Sequence, residues 1–448
     1  MCVRSNTEKS TNKLYEEDVA ISTDTHQRLF CTPGCEAVYF WHLLRHGTRY
    51  PNVKEIDELT KGVPPIQARL RESAAAGRAA LCPADVERML TWKLNATKAH
   101  GNMLTVQGER DMEGIAGRFR SRFPAFFTKH AHADQFQIRS TDAQRTQASA
   151  KCYGERLFLE PIDIPTPLAE DPLLKFYAMC PLWERAVDKN ASARAEVDAF
   201  IDGEVMRASL ERVSKRLGFE ETLTYKEVEV LWEACRYDQA WEPTQDSPWC
   251  AAFDDEDLMV FEYRADVKYY YVTGYGNAVN LQLGCVLVKD IIDKLSAHES
   301  LGKSGAMYFT HSTAIHMTLA GLGIGRDAVP LTADNFATLE RDRRWSISRL
   351  GPFAANLAAV LYECPEGENE KYKVRMYLNE EPVPVEGCSD ADALCSWSDF
   401  RNRFAAAESC SLDFCNATRP NGSSPMLCSS LTWATVTALI LRLISVLR

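Results

Sequence analysis

The sequence predicts an α/β fold: a three-layer sandwich core around a mostly parallel sheet, with an α-helical cap domain inserted into it. Apolar, strand-like segments at 37–44, 135–139 and 306–310 each lead into a helical pattern, which is the alternation typical of parallel sheets. Residues 171–249 instead carry helical patterns with few strand candidates. The chain has 448 residues, of which 46% are hydrophobic, enough for several structural units around a large core.

The first half of the core begins with a buried strand. Ala37–Leu44 is a continuous apolar run with aromatic residues, as in a strand covered on both faces. Leu104–Arg120 has apolar residues at helical spacing, with Thr105 placed to cap the helix. Gln135–Arg139 is predicted as a short strand. The helix expected from Ser140 onward turns two small residues inward, Ala148 and Cys152.

The second half of the core repeats the alternation. Ala306–Thr310 is predicted as a strand, and the helix after it carries apolar residues at helical spacing: Ile315, Leu319 and Leu322. Pro352 is expected to open a further helix, because proline is favourable at the first helical position; its inward residues are Leu357, Val360 and Leu361. Lys373–Leu378 alternates like a strand.

These elements predict a division of the chain into six parts. Ligands of such sheets bind at the carboxyl ends of strands and at domain interfaces, so we expect the pocket under the cap. The predicted parts are an N-terminal extension (1–29), the first part of the α/β core (30–170), the helical cap (171–260), the second part of the core (261–385), a cysteine-containing segment (386–420) and a C-terminal tail (421–448).

The charge balance excludes one class of partner. Lys and Arg number 51 against 62 Asp and Glu, a formal net charge of −11. A protein of this charge is a poor candidate for nucleic-acid binding. A basic pocket for a small anion remains compatible with an acidic surface.

Cysteines and sequons favour an oxidising compartment. The 15 cysteines include no C-x-x-C pair and no zinc-finger spacing. Cys235 with Cys250 and Cys410 with Cys415 are candidate disulfide pairs. Glycosylation triplets occur at four asparagines: Asn95, Asn190, Asn416 and Asn421. Together these features favour the secretory pathway, with buried free thiols in a cytosolic protein as the alternative.

The two ends of the chain give opposite indications. Residues 1–30 contain no apolar stretch of signal-peptide length. Residues 431–447 are apolar except for Arg442 and follow small residues at 421–424. That layout is typical of a lipid-anchor signal, with a single transmembrane tail as the competing interpretation. We therefore expect a leader upstream of this sequence, and a protein held at the cell surface by a lipid anchor or retained in the endoplasmic reticulum lumen.

Directly after the first strand stands Arg45-His46-Gly47-Thr48-Arg49-Tyr50-Pro51. Two guanidiniums make fork-shaped, charge-assisted hydrogen bonds to phosphate oxygens. A histidine between them can act as the nucleophile toward phosphorus. Gly47 is expected to let the backbone turn tightly beside the ligand.

Two further segments have the same plan. Ser140-Thr141-Asp142-Ala143-Gln144-Arg145-Thr146 follows the second strand and places Arg145 in the first turn of a helix, where backbone N–H groups favour an anion. His311-Ser312-Thr313 follows the third strand and opens a helix. The three strand ends are therefore expected to converge on one phosphate site.

At this point a resemblance is plain. Arg45-His46-Gly47-x-Arg49-x-Pro51 resembles the signature of the branch-two histidine phosphatases, the family of acid phosphatases and phytases, and the segment from Arg139 to Ala150 resembles their second phosphate-binding segment. Later motifs are similar to the members that act on inositol polyphosphates. These are Ser247-Pro248-Trp249-Cys250, Phe253-Asp254, Lys268-Tyr269, Gly274-Tyr275-Gly276, Phe309-x-His311, Leu361-Tyr362-Glu363-Cys364 and Val374-x-Met376-x-Leu378-Asn379-Glu380. The resemblance covers about residues 30 to 415.

The resemblance implies hydrolysis of phosphomonoesters such as inositol hexakisphosphate through a phosphohistidine, with 2,3-bisphosphoglycerate as a further candidate substrate. It implies that His46 attacks phosphorus, that His311 adds a hydrogen bond or charge, and that three arginines hold the phosphoryl oxygens: Arg45, Arg49 and Arg145. Lys268 is a candidate for binding other phosphates, with a solvated lysine as the alternative. No metal or cofactor is implied. Arg139 is interpreted as structural and His42 as core packing.

One departure from the family affects the mechanism. The family places a general acid one or two residues after the second histidine, and here those residues are Ser312 and Thr313. A hydroxyl is a poor proton donor, so the leaving group lacks acid assistance unless another carboxylate reaches it. Three hypotheses stay open: a slowed phosphatase, a phosphatase with a substitute acid, or a lapsed enzyme that binds polyphosphates at the cell surface. A receptor or adhesion role is a further class.

Overall fold

The structure, a computed structural model, describes residues 34–365, 370–388, 390 and 392–416. The predicted N-terminal extension 1–29 and the tail 421–448 lie outside the described residues. The seven described strands are β1 Glu36–Arg45, β2 Phe136–Ser140, β3 Gly305–Thr310, β4 Asn356–Glu363, β5 Tyr372–Leu378, β6 Glu381–Val383 and β7 Leu394–Ser396.

The described helices surround this sheet. They are α1 Val53–Ala75, α2 Pro83–Thr91, α3 Val106–Arg122, α4 Pro124–Lys129, α5 Gln144–Phe158, α6 Pro181–Trp183, α7 Ala195–Asp202, α8 Glu204–Arg216, α9 Tyr225–Trp241, α10 Asp255–Thr273, α11 Ala278–Ser296, α12 Ser312–Leu322, α13 Phe336–Leu339, α14 Ile347–Leu350 and α15 Trp397–Arg403. In the described part of the chain, no helix combines the length and apolar character that crossing a membrane requires.

The strands form one mixed sheet in the order β2-β3-β1-β4-β5-β6, with β7 also paired to β5. β2, β3 and β1 are parallel neighbours. β4 is antiparallel to β1, and β5 is antiparallel to β4, so β5 runs in the direction of β1. The predicted α/β class is confirmed, and the strands that precede the site motifs are the parallel ones.

β1 shows why the fold has three layers. Tyr39, Trp41 and Leu43 pack into the apolar cluster on one face of the sheet, whereas Phe40 and Leu44 pack into the cluster on the other face. This alternation follows from the two-residue period of a strand. Helices α3 and α5 cover the second face, and α11 and α12 cover the first. The continuous apolar run at 37–44 is therefore buried on both sides.

The segment after Pro352 corrects one prediction. Leu357, Val360 and Leu361 belong to strand β4, which pairs with β1 and β5, and not to a helix. A short, fully buried apolar run satisfies both helical and strand patterns, so periodicity cannot separate them. The neighbouring strands on both sides decide the outcome, because Asn356–Glu363 is buried in the centre of the sheet.

The other core helices follow the sequence pattern closely. Thr105 caps α3 as predicted, with its hydroxyl accepting the N–H of Gly108 at 3.0 Å. The helix after β2 begins only at Gln144. The predicted inward residues Ala148 and Cys152 are partly exposed, because the buried face of this helix is shifted by one residue. Its buried residues include Thr146, Ser149, Ala150 and Tyr153. In α12 the expected residues Ile315, Leu319 and Leu322 are buried.

Helices α6 to α9 occupy the block that the sequence predicted to be helical. Phe200, Val213 and Leu231 of this block lie in the same apolar cluster as Trp41 of β1. Arg139 on β2 forms an ion pair of 2.7 Å with the buried Asp171 at the start of the block, consistent with a structural role. The domain boundaries themselves stay a prediction.

Disulfides join distant parts of the described chain. The predicted Cys235–Cys250 pair is confirmed. The predicted Cys410–Cys415 pair is wrong, because the C-terminal segment packs across α11 and the start of α6, where each cysteine finds a distant partner. The other described disulfides are Cys35–Cys364, Cys180–Cys415, Cys285–Cys410 and Cys388–Cys395. This many disulfides indicates an extracellular or secretory-pathway protein.

Candidate active site

The ends of the three parallel strands meet at one edge of the sheet. The register places Arg45 opposite Thr310, and the next residue continues the ladder, with the His46 N–H donating to the Thr310 carbonyl at 3.1 Å. The Thr141 N–H likewise donates to Phe309 at 3.1 Å. The rings of His46 and His311 come within 5.6 Å, centroid to centroid. The three segments singled out in the sequence thus form one site.

His46 is held in the tautomer that a nucleophile needs. Its Nδ1 lies 2.9 Å from the carbonyl oxygen of Gly47, which can only accept, so Nδ1 carries the proton. Nε2 is therefore left with its lone pair. Burial, then the charges of Arg45 and Arg145, hold the pKa of His46 well below its usual range. The imidazole is consequently neutral, and hence nucleophilic, even in mildly acidic solution.

Arg45 and Arg49 stand on either side of this histidine in sequence and share an aromatic support. The Arg45 guanidinium lies 4.5 Å from the ring centroid of Phe353 and donates to the carbonyl of Gly351 at 2.6 Å. Arg49 lies 5.9 Å from the same ring and pairs with Glu55 at 3.6 Å. Burial and the charge of Arg49 lower the pKa of Arg45 to about 9, so Arg45 remains a cation at neutral pH.

Arg145 and His311 are bonded to each other. Arg145, in the first turn of α5, donates from Nη2 to Nδ1 of His311 at 3.2 Å. The opposite ring nitrogen, Nε2, then carries the proton and donates to the hydroxyl of Thr141 at 3.1 Å. Burial and the charges of Arg145 and Lys175 lower the pKa of His311 to about 3. His311 therefore acts as a neutral hydrogen-bonding group and not as a charge.

Two guanidinium nitrogens without partners indicate that this cluster binds an anion. The Nε atoms of Arg45 and Arg145 are buried and have no hydrogen-bond partner among the described residues. A buried donor without a partner costs about 1–3 kcal/mol. A phosphate with its several acceptor oxygens is the chemistry that satisfies such donors.

Gly47 is required for a reason other than the predicted one. A Cβ on Gly47 would lie 2.2 Å from the carbonyl oxygen of Gly108 on α3. The close approach of helix and loop, and not a tight turn beside the ligand, therefore selects glycine. At the same contact between loop and helix, the N–H and the hydroxyl of Thr48 donate hydrogen bonds to the Asp111 carboxylate at 3.0 and 2.6 Å. The loop that carries His46 is thus rigidly seated on α3.

Lys268 lies at the margin of the cluster. It is partly buried on α10, and its Nζ is 5.5 Å from the ring centroid of Tyr269. Tyr269 in turn interacts electrostatically with Arg45. Lys268 is thus adjacent in sequence to a residue that interacts with Arg45, and its binding of other phosphates stays a prediction.

Several site residues were not found from the sequence. Phe353 and Gly351 support Arg45, but they lie on the segment that was predicted to open a helix. Lys175 and Arg236 lower the pKa of His311 and of Arg45, respectively. Both come from the helical block, where a basic residue has the same pattern as one on any solvated helix face.

The two positions at which the resemblance implies a general acid hold hydroxyl side chains. Ser312 and Thr313 are the first two residues of α12, directly after its N-cap His311, and both are partly exposed. A side chain at either position therefore lies beside the second histidine.

Two buried histidines outside the site, His42 and His316, are structural. His42 is buried against Tyr153 and Asn356, at 3.0 and 3.3 Å, which confirms its role in core packing. His316 bonds to Thr273 at 2.9 Å. Within the described ranges, no three His, Cys, Asp or Glu side chains are grouped so that they could hold a metal ion.

Buried histidines predict how stability depends on pH. Burial lowers the pKa of His42 and of His316 to about 3, below the usual 6.5 of an unfolded chain. Between pH 6.5 and 3 the unfolded state binds more protons, so the free energy of unfolding should fall as the pH falls. Urea unfolding of His316→Gln should show a pH slope smaller by close to one proton than wild type. An unchanged slope between pH 4 and 6 would contradict the shifted pKa of His316.

Comparison with known proteins is consistent with this geometry. The family model described as "Histidine phosphatase superfamily (branch 2)" matches residues 41–379. Multiple inositol polyphosphate phosphatase 1 of Drosophila melanogaster is 33% identical over 429 residues, which cover 93% of this chain and 88% of that protein. The Homo sapiens protein of the same name is 28% identical, with 88% of this chain and 84% of that protein covered.

Solved structures share the fold. The phytase from D. castellii superposes with a TM-score of 0.67 at 17% identity, covering 89% of this chain and 90% of that one. The Bifidobacterium longum multiple inositol polyphosphate phosphatase, in complex with inositol hexasulfate, gives 0.63 at 16% identity, covering 84% and 94%. The family-model match over residues 41–379 and the 33% identity to the fly relative show that the chain belongs to branch 2 of the histidine phosphatase superfamily.

Proposed function

We propose that this chain hydrolyses phosphomonoesters of inositol polyphosphates through a phosphohistidine formed on His46. The observation that carries the proposal is the 2.9 Å hydrogen bond from Nδ1 of His46 to the Gly47 carbonyl, which leaves Nε2 with its lone pair near the charges of Arg45 and Arg145. A neutral imidazole beside fixed cations is suited to attack on an anionic phosphoryl group.

In the first step the Nε2 lone pair attacks phosphorus, and the bond from phosphorus to the leaving oxygen breaks. Arg45, Arg49 and Arg145 neutralise the charge on the three equatorial oxygens, and His311 is held by Arg145 and Thr141 to contact the same group. Such donors are fixed before the reaction, so they stabilise the transition state without reorganising. Water then attacks the phosphohistidine and returns the electron pair to Nε2.

The substrate class is supported by the relatives and by the charges around the pocket. The fly and human relatives carry the name multiple inositol polyphosphate phosphatase, and the B. longum structure holds an inositol hexasulfate. Further cations surround the arginine cluster: Lys175 interacts electrostatically with His311, Arg236 interacts with Arg45, and Lys268 is adjacent in sequence to Tyr269, which also interacts with Arg45. Such outlying cations suit a substrate with several phosphates, including 2,3-bisphosphoglycerate.

The test of this proposal is phosphate release by the purified protein. We expect release from inositol hexakisphosphate, and reactions with labelled substrate that are quenched in alkali, in which phosphohistidine is stable, should trap phosphate on His46. Binding of the inositol substrate by calorimetry, with no phosphate release from it or from an aryl phosphate, would overturn the proposal. That result would favour the alternative of a lapsed enzyme that binds polyphosphates. The observation behind this alternative is the presence of Ser312 and Thr313 at the acid positions.

The arginine cluster predicts stabilisation by a simple anion. Sulfate that binds the folded state alone raises the melting temperature by mass action. Arg145→Ala should reduce this rise, because it removes one of the buried donors. Differential scanning fluorimetry against sulfate concentration measures the effect, with Arg207→Ala on the exposed face of α8 as the control. An equal rise in wild type and Arg145→Ala would show that Arg145 is outside the anion site.

We also propose that the protein is glycosylated and attached to the cell surface through its C-terminal tail. Asn95 is exposed, and Asn190 is partly exposed, as glycan attachment requires. Expressed behind a secretory leader, the chain should lose mass from both asparagines on glycosidase treatment, and phosphatidylinositol-specific phospholipase C should release it from cells. Release by detergent alone would indicate a transmembrane tail, and an unshifted mass would argue against glycosylation.

A further inference from the structure

The site as described lacks one group that the proposed reaction needs. An inositol oxygen leaves as a strongly basic alkoxide unless it receives a proton, and acid assistance is typically worth about 10²–10⁴-fold in rate. Ser312 and Thr313 occupy the family's acid positions with hydroxyls. A carboxyl group from another element is therefore required for efficient turnover of an inositol substrate.

Asp142 lies in the segment that borders the second histidine. It follows Thr141, whose hydroxyl is 3.1 Å from Nε2 of His311, and it precedes Arg145 by three residues. Its carboxylate interacts electrostatically with both Arg145 and His311. The side chain is 49% exposed and pairs with Lys175 at 3.1 Å. Asp142 is thus at the mouth of the site, on the side of the missing acid.

Other carboxylates near the site are held by the fold. Glu55 caps α1 and accepts from Tyr237 at 2.9 Å. Asp111 accepts two hydrogen bonds from Thr48, at 3.0 and 2.6 Å. Each of these carboxylates has a structural task that its protonation would disrupt. Asp142 is paired with a long, flexible lysine, and a substrate phosphate can take over that lysine.

We propose that Asp142 is the general acid that replaces the residue missing after His311. As the bond between His46 Nε2 and phosphorus forms and the ester bond breaks, the protonated carboxyl transfers its proton to the departing oxygen. The products are an alcohol, a phosphohistidine and a carboxylate. In the second step this carboxylate takes a proton from the attacking water, the P–N bond breaks and its electron pair returns to Nε2. Phosphate leaves, and Asp142 is again protonated.

The proposal rests on the proposed function, and the leaving group separates the two. An aryl oxygen departs with little need of a proton, whereas an inositol oxygen depends on it. Asp142→Asn should lower kcat/KM for inositol hexakisphosphate by about 10²-fold, the lower part of the general-acid range. The pre-steady-state burst of nitrophenol from p-nitrophenyl phosphate, which reports only the first step, should change by less than about threefold.

Two further variants keep the test decisive. Lys175→Gln removes the ion pair but leaves the Asp142 carboxyl. Any change in kcat/KM for inositol hexakisphosphate should therefore be matched by a similar change in the nitrophenol burst, unlike the result for Asp142→Asn. Asp163→Asn, at an exposed position away from the site, should leave both rates unchanged. Equal losses on both substrates in Asp142→Asn, or no loss on either, would overturn the role of Asp142. Absence of turnover in wild type on either substrate would instead overturn the proposed function itself.

Discussion

Replacement of His46 by alanine should abolish phosphate release from inositol hexakisphosphate, with a loss in kcat on the order of 10⁴-fold or more, the scale seen when a covalent nucleophile is removed. The physical reason is that, without the imidazole, no group attacks phosphorus and accepts the phosphoryl group, while the arginines still bind the substrate. Labelling with an alkaline quench should trap phosphate on wild type and none on the variant. The affinity for inositol hexasulfate, measured by calorimetry, should be largely retained.

Folding is the necessary control, because His46 is only 3% exposed. Its side-chain hydrogen bond is to the adjacent carbonyl of Gly47, and its ring lies 6.1 Å from that of Phe353. We expect a loss of stability of about 1–2 kcal/mol, typical of a point substitution, with a cooperative melt retained. His46→Asn keeps a polar side chain at the position and should be equally inactive. Turnover by either folded variant would show that another residue attacks phosphorus.

Local segments of the sequence allowed the chemical centre to be predicted. The signature around His46 lies within seven residues directly after a buried strand, and the same is true of Arg145 and His311. Because parallel neighbours end at the same edge of a sheet, three strand–loop segments suffice to predict convergence. The structure brings these residues together through the register of β1, β2 and β3.

What could not be predicted depends on contacts between distant parts of the chain. Phe353 reaches Arg45 because β4 returns antiparallel to β1, a pairing that links residues more than 300 positions apart. The apolar pattern of that segment fits a helix equally well. The disulfide from Cys285 to Cys410 has the same character, since spacing in sequence favoured a nearer partner.

In the proposed mechanism, a carboxyl at the end of one strand compensates for a substitution at the end of its neighbour. The acid positions that the resemblance implies lie at the start of α12, just beyond the end of β3, and the candidate replacement, Asp142, stands in the loop after β2. The two segments meet because β2 and β3 are hydrogen-bonded neighbours, with Ser140 opposite Phe309. A carboxyl at position 313 should therefore be able to take over the proposed role of the Asp142 carboxyl.

Addition of Thr313→Glu to the Asp142→Asn protein should restore turnover of inositol hexakisphosphate by about 10²-fold, while the nitrophenol burst stays within about threefold. Thr313 is the second residue of α12, two positions after His311, and it is partly exposed, so the position has room for a longer side chain. In the otherwise native protein the same change should give little gain, because the donor is already present. A donor lowers the barrier only where the departing oxygen is a strong base.

Thr313→Gln in the Asp142→Asn background is the matched control, because it has the length of glutamate without a proton to give. It should leave turnover of the inositol substrate low. If glutamine restores the rate as well as glutamate, the effect is one of packing or hydrogen bonding at the start of α12. If Thr313→Glu instead accelerates the otherwise native protein by about 10²-fold on the inositol substrate alone, the acid position was unfilled and Asp142 does not donate the proton. The ratio of inositol to aryl rates across the four combinations of Asp142 and Thr313 thus decides which carboxyl protonates the leaving group.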